Sequence, residues 1–192
     1  MSKVLMGPST LVYPMPVFLV GTNVGGRPNF MAVAWGSIVG GAPPMVSVAM
    51  RAQRYTFKGI RENMTFSVNI PSVDLMREAD YCGIVSGDTV DKVSACGFRV
   101  FYGKLDTAPL IEQCPVNLEC RVVHILDLGS NLLVIGRIEE SHVSEDCLTD
   151  GRPDVTKIRP FAYVTSPAQQ YQVLGDVVAE AFSIGRELEA TS

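Results

Sequence analysis

The chain is short of the side chains that most enzymes use for catalysis. Its 192 residues hold two histidines, His124 and His142. His124 falls on a face shared by Leu118, Cys120, Val122 and Leu126, which reads as a packed residue and not a general base. His142 sits among Glu139, Glu140, Glu145 and Asp146, the pattern of a solvated strand end. No Gly-x-Ser-x-Gly elbow, His-Glu-x-x-His pair or Walker-type loop occurs. The five cysteines, Cys82, Cys96, Cys114, Cys120 and Cys147, form no Cys-x-x-Cys pair and are odd in number. They read as small buried hydrophobes of a reducing compartment, with no disulfide or metal framework. Chemistry in such a chain falls to a cofactor.

Positive charge is not in excess either. Lysine and arginine together number 16 against 20 acidic residues, a net charge of −4, which argues against nucleic acid or an anionic membrane as the main partner. Unbroken hydrophobic runs are also missing. Val4 to Gly26 and Pro28 to Met50 are uncharged and long enough to span a bilayer. Pro8, Pro14 and Pro16 interrupt the first, and Gly40-Gly41 with Pro43-Pro44 split the second, as turns between strands would. The start lacks a continuous apolar stretch leading to a small-residue cleavage site, so no signal peptide is expected. The expectation is a soluble, cytoplasmic protein that does not enter the membrane.

What is present is apolar and strand-rich. Apolar residues make up 47% and charged residues 19%, a globular composition, and the length suits one domain over residues 1–192. Strands are predicted at Val17 to Thr22, Asn29 to Ser37, Met45 to Met50, Phe66 to Ile70, Val116 to Leu126, Asn131 to Glu139 and Ile158 to Thr165. The turn clusters are Asn23 to Pro28, Gly40 to Pro44 and Asp127 to Ser130. Four short helices are predicted: Thr56 to Asn63; one capped by Ser72 and ending at Gly83; one capped by Thr89 and ending at Gly97; and a tail from Gly175 to Leu188. Short strands without a βαβ rhythm indicate an antiparallel barrel, an all-β fold with a few short helices.

Two segments look built for an anion. In Arg51-Ala52-Gln53-Arg54-Tyr55-Thr56, two guanidinium groups and a hydroxyl precede a helix whose first N–H groups point at any acceptor placed there. In Ser86-Gly87-Asp88-Thr89-Val90-Asp91-Lys92, a glycine turn enters a capped helix that presents a lysine. A third segment, Asn29-Phe30-Met31-Ala32-Val33-Ala34-Trp35, carries the single tryptophan, a flat wall for packing or for an aromatic ring.

The order of these phrases resembles the flavin reductase-like, FMN-binding split-barrel family, and most closely its flavoredoxin branch. The resemblance runs through Pro16 to Thr22, Asn29 to Trp35, Pro43 to Val48, Arg54-Tyr55-Thr56, Glu62 to Asn69, Val90-Asp91-Lys92, Arg159 to Tyr163 and Tyr171 to Gly175. It implies a six-stranded antiparallel Greek-key split β-barrel, a homodimer, and FMN near the subunit interface. Carried over to this chain, Asn29, Phe30, Met31, Ala32, Val33 and Trp35 would line the isoalloxazine ring. Met50, Arg51, Tyr55 and Thr56 would hold the ribityl chain and phosphate, Ser86, Gly87 and Lys92 would complete the phosphate site, and Tyr163 would approach the ring. Many members carry histidine where this chain has Asn131, a position near the flavin and the nicotinamide.

The implied function is electron carriage from a nicotinamide, NAD(P)H, or a protein donor to an acceptor. Two other functions suit such a chain: an NAD(P)H:flavin reductase that releases its flavin to a partner monooxygenase, and a non-catalytic FMN-binding protein. Haem in a similar barrel ranks last, because two histidines offer few axial ligands.

Overall fold

The structure is a computed structural model and describes residues 1–191. Its main sheet has seven antiparallel strands. They are β1 (Phe18–Val24), β2 (Arg27–Val33), β3 (Gly36–Gly41), β4 (Pro44–Met50), β5 (Thr65–Ile70), β6 (Val116–Asp127) and β7 (Leu132–Val143). Their order across the sheet is β2-β1-β5-β6-β7-β4-β3. Consecutive hairpins sit at both edges, and the chain crosses from β4 to β5 through helix α1 (Tyr55–Asn63). That non-local return is the Greek-key element. The sheet does not close, so β2 and β3 remain free edges, and the fold is the split β-barrel that the sequence implies, with seven strands in its main sheet where the resemblance implies six.

Local chemistry explains the pieces that frame the site. Gly25 (φ 55°) and Gly26 (φ 77°) supply the two positive φ angles of a two-residue hairpin turn, closed by the Val24–Arg27 pair. Pro28 is tolerated in β2 because that strand is an edge. Strand alternation buries both faces of the β1–β2 hairpin. Val20, Met31 and Val33 point into the barrel with Val48, Phe66, Val68 and Val134. Leu19 and Phe30 point outward, under α2 (Met76–Ile84), and meet Ala79, Cys82, Phe98 and Phe161.

Several expectations need correction. The strand predicted from Asn29 to Ser37 breaks after Val33, and Gly36–Gly41 forms its own edge strand where a turn was expected from Gly40. A Cβ at Gly36 would lie 2.8 Å from the Phe18 ring and the Ser47 carbonyl, so only glycine lets the chain pass there. The third helix, α3 (Lys92–Ala95), is capped by Asp91, whose carboxylate accepts from Ser94 N at 3.1 Å. Thr89 instead bonds back to Ser86 within the preceding turn. The segment from Ile158 starts as the end of a short helix, α4 (Val155–Ile158), and the strand proper is β8 (Phe161–Val164), paired with Met15–Pro16 and with β9 (Gln170–Val173). The tail helix does not form as predicted: residues 174–180 carry no regular element, and a 3-10 stretch covers Ile184–Thr191. Val177, Val178 and Phe182 of the tail all stand in solvent, so burial of an apolar face does not reward a helix there.

Both histidines differ from expectation as well. A bulge between β6 and β7 shifts the pairing from Gly136↔Val122 to Ile135↔His124, which turns Ile125 inward and His124 out to solvent. His142 is half-buried, not a solvated end, and its Nε2 lies 2.8 Å from Oε1 of Glu119, a carboxylate with no solvent exposure. Glu119 also accepts from the N–H groups of Lys104 (3.1 Å) and Leu105 (2.6 Å), so this buried charge is fully bonded and anchors the 103–105 loop. All five cysteines are free thiols, and all but Cys96 are buried.

Candidate functional site

The two predicted anion segments meet. After β4 the chain turns through Arg51 to Arg54, closed by Arg54 N donating to Arg51 O at 3.1 Å, and enters α1. No side chain caps that nine-residue helix, so its first-turn N–H groups face outward for an external acceptor. Opposite stands the loop that follows α2. A cavity of about 430 Å³ lies between them. Arg51, Gln53, Arg54, Tyr55 and Thr56 form one wall, Val85, Ser86 and Gly87 another, and Met31 and Lys92 complete it. A second cavity of about 470 Å³ shares Tyr55, Gly87 and Lys92 with the first and adds Arg27 and Asn29.

The walls are held by specific bonds. Asn29 Nδ2 donates to Thr56 Oγ1 at 2.7 Å, with both residues buried. Because Thr56 Oγ1 is the acceptor in that bond, its own hydrogen is free to be donated elsewhere. Gly87 permits the close approach: a Cβ there would lie 1.9 Å from Asn29 Oδ1 and 2.9 Å from the Tyr55 ring. Lys92 is only 4% exposed, and its Nζ donates to the carbonyls of Phe30 (2.9 Å) and Cys82 (2.8 Å). It thereby ties β2, α2 and α3 together. Burial holds the Lys92 ammonium below the usual lysine range; nearby Cys82 opposes this, and the charge of Arg54 adds to it. Two cations that repel each other across a cavity wall are both relieved by an anion between them.

The remaining predicted residues lie elsewhere. Phe30 packs outward, its ring 5.8 Å from that of Phe98, and Ala32 lies on the same side. Val33 and Met50 are in the barrel core. Trp35 is 43% exposed and lines a separate, apolar groove of about 510 Å³ with Val12, Pro14, Met15, Ala49 and Leu133. Groove and cavity adjoin along one strand line, since Ala49 lies in the groove and Arg51 in the cavity, two residues on. Tyr163 sits on β8 against Tyr171, ring centroids 5.8 Å apart, and lines neither space. Asn131 precedes Leu132, which pairs with Met50, so the register sets Asn131 beside Arg51 at the cavity's edge.

The residues carried over from the family resemblance leave out Arg54, Gln53 and Val85, although the anion segment read from the sequence already contains Gln53 and Arg54. Arg54 was legible: it is the residue immediately before the helix, where side chains reach past the first turn. Val85 carries no chemical signal and is known only from the loop's path.

Comparison with known proteins agrees with this architecture. The family described as flavin reductase like domain matches residues 10–167. A flavoredoxin from Methanosarcina acetivorans superposes with a TM-score of 0.93 at 42% identity, covering 98% of this chain and 100% of that one. The flavoredoxin of Desulfovibrio vulgaris (Miyazaki F) does so with a TM-score of 0.89 at 37% identity, covering 96% and 100%. An uncharacterised protein of Archaeoglobus fulgidus is 32% identical over 145 residues, 75% of this chain and 80% of its own. The chain therefore belongs to the flavin reductase like domain family.

Proposed function

We propose that this chain binds FMN, with the phosphate in the Arg51–Arg54 cavity, and passes electrons from a nicotinamide or protein donor to an acceptor. The observation that carries the reading is the convergence of two guanidinium groups, a free Thr56 hydroxyl, an uncapped helix start and the Ser86–Gly87 loop on one cavity. That donor set fits a phosphate dianion and would be poorly used by a neutral ligand. When bound, FMN supplies the capacity to take up and release electrons.

The protein's own residues hold and orient. Arg51 and Arg54 neutralise the phosphate, and Thr56, kept in place by Asn29, donates to it. Lys92 fixes the Phe30 carbonyl and so the strand that carries Asn29 and Met31. The apolar groove at Trp35, reached along β4 from Arg51, gives the flat ring a surface that excludes water. Trp35, Ile38 and Val39 stand exposed near the free β3 edge, and a second copy of the chain would cover them. Family resemblance supports that homodimer, and the two flavoredoxins support the flavin assignment. Among the described residues no helix is long and apolar enough to cross a membrane. We place the protein in the cytoplasm on its free thiols.

Asn131 shapes the choice of donor. An asparagine can hydrogen-bond a carboxamide but cannot carry a proton's charge as histidine does. FMN-loaded protein, mixed anaerobically with NADH or NADPH in a stopped-flow instrument, is expected to lose the flavin band slowly, and Asn131→His to lose it faster at unchanged FMN affinity. Rapid, saturable reduction of wild type with no gain in the variant would identify an ordinary nicotinamide-driven flavin reductase.

A further inference from the structure

Outside the cavity, one cluster of reactive groups has no part in the site just described. Cys82 on α2 and Cys96 at the end of α3 pack in the same outer cluster, and each thiol acts on the other's ionisation. Cys96 Sγ in turn lies 4.0 Å from the Glu78 carbonyl, one turn before Cys82 on the same helix. Lys92, bonded to the Cys82 carbonyl, sits between them in sequence and puts a positive charge beside both sulfurs. Cys82 is 1% exposed, whereas Cys96 is half-buried and borders an open cavity of about 620 Å³ with Arg77, Glu78, Tyr81 and Ile84. One thiol is thus reachable from solvent and the other waits behind it. The chain between them includes Ser86 and Gly87, the loop that walls the candidate site.

We propose that Cys82 and Cys96 are a reversible dithiol–disulfide pair, whose oxidation closes the base of the Ser86–Gly87 loop. The oxidant is a low-molecular-weight disulfide, entering by the Arg77 cavity. The Cys96 thiolate attacks one of its sulfurs, forming a mixed disulfide and releasing one thiol. Cys82 then loses its proton and attacks Cys96 Sγ, which forms the internal disulfide and releases the second thiol. Two electrons and two protons pass from the pair to the small disulfide.

The assignment of roles follows from surroundings. Burial pushes the Cys96 thiol up, and Cys82 and the charge of Lys92 only partly oppose this; Cys96 attacks first because it borders the open cavity. Cys82 is pushed up to about 12 by burial first and by Cys96 next, so it acts second. Cross-linking is therefore slow at neutral pH and quickens as pH rises. The buried Oε2 of Glu78 has no hydrogen-bond partner, and its carboxylate opposes negative charge on both sulfurs. Glu78→Gln should speed the reaction.

The test is thiol counting with peptide mapping on purified full-length protein incubated with oxidised glutathione at mildly alkaline pH. Wild type should fall from five titratable thiols to three, with no disulfide between chains and a Cys82–Cys96 linked peptide, and dithiothreitol should restore all five. Cys147→Ser should still form the link, and Cys96→Ser should not. Five persistent thiols, or a link involving other cysteines, overturns the proposal. A second consequence rests on the FMN reading: the oxidised protein should release FMN more slowly than the reduced one. Absence of FMN binding in either state, with the link formed, would refute the cofactor reading and leave the pair standing.

Discussion

Cys82 lies 1% exposed in the outer core, and burial raises its thiol from the ordinary 9.0 to about 12. The native fold thus keeps a proton that the unfolded chain releases first. Below 9.0 both states are protonated and the contribution is fully present; above it the unfolded state binds fewer protons, so stability falls as pH climbs toward about 12. Denaturant titrations in reducing buffer, from pH 9.0 upward, are expected to show a shallower loss for Cys82→Ala than for wild type. Parallel slopes would mean that Cys82 is not the titrating group. At Lys92 the sequence shows a lysine in the first turn of a helix after a glycine loop, and the cavity does contain it. What it conceals is that two backbone carbonyls occupy the ammonium, because those come from residues 62 and 10 positions away. Residue type and neighbours along the chain reveal a charge's presence, not which partners the fold brings to it.

At the scale of elements, α1 is the part on which the site depends most. Its Gly59 sits mid-helix, where glycine costs about 1 kcal/mol relative to alanine. Here propensity loses. A Cβ at Gly59 would lie 2.2 Å from the Asn23 carbonyl and 2.8 Å from Thr22 Cγ2. Pushing backbone away costs about 1–3 kcal/mol in an overpacked core. Gly59→Ala should therefore lower the melting temperature, measured by circular dichroism, despite its better helix propensity; an unchanged or raised value would show that β1 yields easily. The β1–β2 hairpin and α1 were legible because their signals are local: a Gly25-Gly26 turn, and Phe57 with Ile60 on one face. The bulge that turns His124 outward was not, since it is set by pairing with β7. Asp91 supplanted Thr89 as the α3 cap because both are acceptable caps two residues apart, and only the bond to Ser94 decides.

For the whole molecule, the sequence signalled the split barrel through the order of many short phrases, but it could not say where the side chains of one strand diverge. Met31 reaches the cavity while Trp35, four residues on, belongs to an apolar groove after a strand break. The groove, the open β3 edge and the exposed tail residues Val177, Val178 and Phe182 leave much apolar surface for a monomer. Light scattering is expected to give twice the chain mass of 20.8 kDa, and a monomer with FMN bound would contradict the proposed dimer. The account's central claim is that the Arg51–Arg54 cavity holds the phosphate of FMN. Calorimetry with FMN and with riboflavin, which lacks the phosphate, tests it on wild type, Arg51→Ala and Arg54→Ala. Each variant should weaken FMN by roughly ten- to a hundredfold, the loss of a charged hydrogen bond of about 1.5–3 kcal/mol, and leave riboflavin nearly unchanged. Equal weakening of both ligands, or no FMN binding by wild type, would contradict it.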